Sequence, residues 1–263
     1  MTLAVLGKVA EGFILATDRI LGSAEKPLAE FPSESAAGSI FLSPSRPLGL
    51  LTWGAGSLGR DISSEMASWI EGRRGREGQT TQQVATSLSR SLVQKGRHRF
   101  AGLLPHLQPR VGFFLAGFDG DQGIPCDWVW EMKGESSPPR PVRTGQPAEP
   151  QYGFNWRGEE LWMTRLILGY DPLLLDLLEG EIAISRERLI PIFRKVELPL
   201  SYSGMSMEQA IELASWMIRT TLNLLHLRSY PRKWGWKIEM ATITPEGTRW
   251  VSPGRGEKGG DGK

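Results

Sequence analysis

A single cysteine in 263 residues, Cys126, excludes an internal disulfide and any cysteine-built metal site. It opens the apolar run CDWVWEM at 126–132, which reads as a strand, so a buried and inert thiol is expected there. Histidine is almost as scarce. His98, His106 and His226 lie far apart with no ligand spacing, so no zinc site and no other cofactor is indicated. Neither sign of charge dominates: 31 Lys and Arg against 29 Asp and Glu leave a formal net charge of +2, which makes no global case for a nucleic-acid partner. The local clusters Arg73, Arg74, Arg76 and Lys95, Arg97, His98, Arg99 read as solvated helix ends. Long apolar runs are missing too. None approaches the roughly 20 residues of a membrane span, and the apolar opening stretch lacks a basic leader and is broken by Lys8 and Glu11. Neither a signal peptide nor a membrane partner is expected, and the chain reads as cytoplasmic. What is present is ordinary for a globular protein, 40% apolar and 23% charged residues. Length and composition suit one large domain over 1–252, with the Gly- and charge-rich 253–263 as a disordered tail.

Aliphatic runs at 2–7 and 12–17, joined by the polar 8–11, predict a β-hairpin at the start of the chain. The small, polar, proline-containing 22–38 predicts a loop. A second strand pair is expected at 39–43 and 48–53 around the turn 44–47. Helices follow at 58–73 and, behind Thr80 as N-cap, at 81–95, where Val84, Leu88, Leu92 and Val93 recur at helical spacing. Strands are expected at 111–118 and 127–132, and a loop through the proline-rich 134–151. Helices at 161–168, 172–178 and 206–227 precede a closing hairpin of 236–242 and 248–251. Hairpins imply antiparallel sheets, and amphipathic helices need a sheet face to cover. An α+β fold, a four-layer αββα sandwich of two antiparallel sheets, satisfies both.

Several segments, in order, resemble the proteasome-type N-terminal-nucleophile (Ntn) hydrolases, closest in flavour to the bacterial proteasome homologues. TLAVLGKVAEGFILATDR at 2–19 is similar to the family opening, a nucleophilic threonine on one strand and an aspartate ending the next, with Thr2 and Asp18 sixteen positions apart. SIFLS at 39–43 with LGLLTWGAGSLG at 48–59 resembles the third and fourth strands and their glycine turn. GFFLAGFDGDQG at 112–123, MSMEQAIELASWMI at 205–218 and the closing TITPEG at 242–247 continue the match, and GFNWRGEELWMTRLILGYDP at 153–172 is similar to the bacterial homologues in particular.

The resemblance implies a chemistry. Threonine is a poor nucleophile that needs a base, and an N-terminal threonine carries one in its own α-amine, with an unperturbed pKa near 8. Loss of Met1, expected because the next side chain is small, would expose Thr2 as a peptidase or amidohydrolase nucleophile without a propeptide. Asp18 would orient the site and hold a lysine, and a backbone N–H at Gly54 would form the oxyanion hole. The family's assemblies imply a homo-oligomeric ring, a peptide or unfolded-protein substrate and an ATP-dependent unfoldase. The sequence also departs from the pattern. Ser39, after Gly38, stands where the family lysine would be. Lys26 or Arg19 is the nearest cation in sequence, although Arg19 should face away from Asp18. Ser229 is the one remnant of the supporting Asp and Ser, and GFNWRG replaces a serine-glycine element. A proteasome-like scaffold or binding subunit without catalysis is therefore the second expectation, and Trp53, Trp156, Trp234 and Trp236 would suit a reshaped pocket.

Overall fold

β1 (Leu3–Val9) and β2 (Gly12–Leu21) form the expected hairpin, Val9 opposite Gly12 and Ala4 opposite Thr17. Both strands are apolar almost throughout, because each is covered on both faces. Successive side chains alternate across a strand. Ala4, Leu6, Phe13 and Leu15 accordingly enter one core, and Leu3, Val5, Ile14 and Ala16 another. The computed structural model describes residues 3–21, 39–54, 68, 70, 79–100, 110–120, 123–132, 140–141, 151–182, 184–227 and 235–251.

The described residues form a mixed α+β structure with two five-stranded antiparallel sheets. The first has the order β10-β9-β2-β1-β8, with β8 at Gly153–Gly158, β9 at Gly235–Thr244 and β10 at Gly247–Trp250. The second has the order β3-β4-β5-β6-β7, from Ser39–Leu42, Leu48–Trp53, Val111–Asp119, Ile124–Met132 and Arg140–Pro141. Between them lies a core of Leu6, Phe13, Leu15, Leu51, Trp53, Phe114 and Ile243. Each fully buried side chain of this kind contributes about 1.5–3 kcal/mol. Lys8 Nζ crosses this interface to Asp127 Oδ1 at 2.9 Å, both side chains nearly buried.

Helix α1 (Thr81–Phe100) covers the other face of the second sheet, setting Val84, Ala85, Leu88 and Leu92 against Leu48, Leu50, Phe113 and Leu115. Thr80 caps it as expected: its hydroxyl accepts from the Gln83 N–H, and its own N–H donates to Gln83 Oε1. Asp119 accepts from the Thr81 N–H and hydroxyl, and Trp128 Nε1 donates to that hydroxyl. On the first sheet α2 (Glu160–Leu168) and α5 (Met207–Leu227) cover the outer face. α5 buries Ala210, Ala214, Met217, Ile218, Thr221, Leu222 and Leu225 at helical spacing. α3 (Pro172–Ile182), α4 (Arg186–Phe193) and a 3-10 turn (Arg194–Val196) lie between α2 and α5, and α3 and α4 bury one residue each, Leu175 and Leu189.

Several sequence expectations change. GFNWRG is a strand, pairing with β1 from Leu3 opposite Gly158 to Lys8 opposite Gly153. Phe154 and Trp156, good strand formers, sit between glycines and Asn155, and the edge of β1 completes the pairing. Part of the expected loop 134–151 forms β7, and α4 had no sequence signal of its own. Cys126 is half-buried rather than buried, because β6 begins three residues earlier and its first two residues are exposed. The tail 253–263 and most of the helix expected at 58–73 lie outside the described residues. No helix among them is long and apolar enough to cross a membrane.

Candidate active site

Of the three sequence-predicted site residues the structure describes two. Thr2 lies outside the described residues, as do Lys26, Ser229 and the side chains of Arg19 and Ser39. Leu3, the residue bonded to Thr2, donates its backbone N–H to Asp18 Oδ1 at 2.7 Å. The start of β1 is thereby tied to the end of β2, one peptide unit from the candidate nucleophile. Asp18 is 1% exposed, and its Oδ2, wholly buried, accepts no hydrogen bond among the described residues. Burial pushes the carboxyl up to about 7 against the lowering effect of the Leu3 N–H and of the positive amino terminus, with the Glu159 charge adding a smaller rise. At that value Asp18 can hold or release a proton near neutral pH.

Gly54 follows β4 at φ +63°, the left-handed region, where a side chain is strained. Space excludes one as well, since a Cβ there would stand 1.9 Å from the Arg110 carbonyl oxygen. The turn after β4 therefore lies on the backbone that enters β5, and any Cβ would separate them.

A cleft of about 580 Å³ lies where β8 and β7 edge their sheets, lined not by Asp18 or Gly54 but by residues next to them in the fold. Its walls include Arg110, Glu131, Arg140, Arg157, Gly158 and Glu159. Arg110 is the neighbour of Gly54, Gly158 pairs with Leu3, and Glu159 acts on Asp18. Arg157 pairs with Ala4, whose side chain faces the inter-sheet core, so position 157 lies on that same face. Glu160 holds both cations, Arg110 Nη1 at 3.7 Å and Arg157 Nη1 at 3.8 Å. Sequence reasoning missed these arginines. They belong to a strand it did not foresee and to a loop end with no motif, and the Arg157–Glu160 spacing was the one available signal.

The remaining chemistry is quiet. Cys126 is held above the ordinary thiol range by burial and then by Asp119, which keeps it from being a thiolate. No group of three His, Cys, Asp or Glu among the described residues is placed to hold a metal ion. No protein-family model matches the chain, and no curated protein gives a significant match to it.

Proposed function

We propose that the chain is a proteasome-type Ntn hydrolase, a four-layer αββα sandwich whose Thr2, exposed by removal of Met1, attacks a peptide or amide carbonyl. The observation that carries this reading is the buried bond from the Leu3 N–H to Asp18 Oδ1. It anchors the residue after Thr2 to the aspartate sixteen positions on, and a nucleophile needs such fixing because small displacements cost large factors in rate. In the reaction the α-amine takes the threonine hydroxyl proton, and the alkoxide adds to the carbonyl. The oxyanion that forms is met by a backbone N–H at Gly54. It collapses to the acyl-enzyme ester as the C–N bond breaks and the leaving amine takes the proton from the α-amine. Water activated by the same amine then hydrolyses that ester and frees Thr2. The charged cleft lined by Arg110, Arg157 and Glu159 takes the substrate. By resemblance, the working form is a homo-oligomeric ring fed with unfolded chains by an ATP-dependent unfoldase.

A second reading, a proteasome-like scaffold or binding subunit without catalysis, is favoured by one specific observation. Asp18 Oδ2 has no cation on it among the described residues, and Arg110 and Arg157 face Glu160 instead. Labelling with an epoxyketone or vinyl-sulfone probe, read by intact mass, separates the two. The catalytic reading expects a chain without Met1 and one adduct, lost in Thr2→Ala. A retained Met1, or labelling that survives Thr2→Ala, sinks it.

A further inference from the structure

Strand register divides the face of the first sheet that looks into the inter-sheet core. Leu6, Leu15 and Ala241 form one row across β1, β2 and β9, all three in that core. Ala4, Thr17 and Glu239 form the next row on the same face, two residues nearer the start of β1, and β8 adds Arg157 to it. One row further on, Arg19 pairs with Lys237. Along β9 this face therefore turns from apolar, at Ile243 and Ala241, to charged, at Glu239 and Lys237. The change falls at the level where β1 begins. Glu239 is only 2% exposed. A carboxylate that deep is unfavourable unless a base matches it. On its own strand and face that base is Lys237, two residues away and about 7 Å along the strand.

Two positions back along the chain from Ala4 is Thr2, and two strands across from β1 is β9. Two strand spacings are about 10 Å, a gap that a lysine's four-carbon stem and a threonine hydroxyl close from either side. The chemistry calls for a cation there. An α-amine with its unperturbed pKa near 8 is mostly protonated at neutral pH, and in that form it cannot take the hydroxyl proton. A second positive charge beside it disfavours the ammonium and favours the alkoxide. The other charged side chains described at this end are Arg157, which Glu160 holds, and the acids Glu159 and Asp18. We infer that Lys237 supplies, from β9, the positive charge of the Thr2 site, and that Glu239 is the positioning residue that holds it. This rests on the reading of Thr2 as the nucleophile. In the attack the hydroxyl proton passes to the α-amine and the threonine oxygen bonds to the substrate carbon. Lys237 keeps its own proton throughout, and its charge balances that oxygen before the bond forms.

The rate of epoxyketone labelling of the full chain, followed by intact mass across the range in which an α-amine titrates, tests it. The wild type should label and Thr2→Ala should not. Lys237→Met should label about 100-fold more slowly at neutral pH. Its rate should also rise at least about one pH unit later, because the α-amine holds its proton longer. That variant leaves Glu239 buried without its base, so Lys237→Met with Glu239→Gln repeats the measurement in a chain free of the unmatched charge. Lys237→Arg keeps the charge and should keep the wild-type profile. Lys195→Met, at an exposed position on the 3-10 turn, should leave rate and profile unchanged. Single and double variants that label like the wild type, while Thr2→Ala stays blank, overturn the inference and leave the reading of Thr2 standing. So does a slower rate with an unshifted profile, which marks a structural role. A wild type that takes no adduct, or an adduct that Thr2→Ala retains, removes the nucleophile and the inference with it.

Discussion

In protein that retains Met1, replacing Asp18 with asparagine removes a buried titrating carboxyl while keeping the oxygen that accepts the Leu3 N–H. In the folded chain the carboxyl titrates at about 7, against 3.8 for the free group. Between those values the folded chain keeps a proton that the unfolded chain releases, so rising pH favours unfolding. One unit of pKa corresponds to about 1.4 kcal/mol, so the difference of about three units costs the wild type roughly 4 kcal/mol, accumulated between about pH 4 and pH 7 and constant above. Asp18→Asn has no such slope. Its amide introduces N–H donors at the position of Oδ2, where a buried unpaired donor costs about 1–3 kcal/mol. The variant should therefore match or fall below the wild type near pH 5 and exceed it by about 1–3 kcal/mol at pH 8. Urea denaturation of both proteins across this range measures the difference directly. A wild-type minus variant gap that stays constant with pH, or that moves in favour of the wild type as pH rises, refutes the argument, because either requires an Asp18 that ionises on folding as easily as in water.

Two further substitutions probe the frame of the site. Gly54→Ala should lose about 1–2 kcal/mol from its left-handed backbone alone, and more because its Cβ meets the Arg110 carbonyl; a denaturation midpoint equal to wild type would show that the turn is free to move. Lys8→Met should cost about 3–5 kcal/mol by leaving Asp127 buried without its partner between the sheets. Adding Asp127→Leu should recover much of that loss, which chemical denaturation of the single and double variants will show.

The sheets were legible because their strands are read by both neighbouring cores. A run such as LAVLGKV at 3–9 offers apolar side chains to each face, and no helical period fits it. β8 carries only a brief signal of its own. Phe154 and Trp156 alternate with Asn155 and Arg157 over four residues between glycines, and the edge of β1 supplies the pairing. α4, with Pro191 inside it and one buried residue, likewise owes its place to α3, through Arg186. Within the candidate site, Asp18 and Gly54 were named through the family resemblance, and the structure shows the Leu3 N–H bonded to one and a left-handed turn at the other. The arginine-lined cleft was not legible, since Arg110, Arg140 and Arg157 come from three separate segments that meet only once both sheets are stacked.

The state of Asp18 carries the choice between the two readings of the site. A cation within about 4–6 Å of a carboxylate pulls its pKa down by one to three units. Among the described residues no group donates to the free oxygen of Asp18, and desolvation is the largest influence on its pKa. A working threonine nucleophile needs the reverse, a positive charge close enough to favour the alkoxide. Arg110 and Arg157 are paired with Glu160, and among the described residues Asp18 Oδ2 has no hydrogen-bond partner. Removing Met1 brings the amino-terminal charge one residue nearer the Leu3 N–H and so draws the Asp18 pKa down. The stability slope on Asp18→Asn separates the outcomes. In protein whose chain begins at Thr2, a slope that vanishes means the carboxylate is ionised and matched by a cation, as catalysis requires. A slope that keeps its full size of roughly 4 kcal/mol means a neutral, desolvated acid that holds β1 to β2 and leaves the fold as a scaffold.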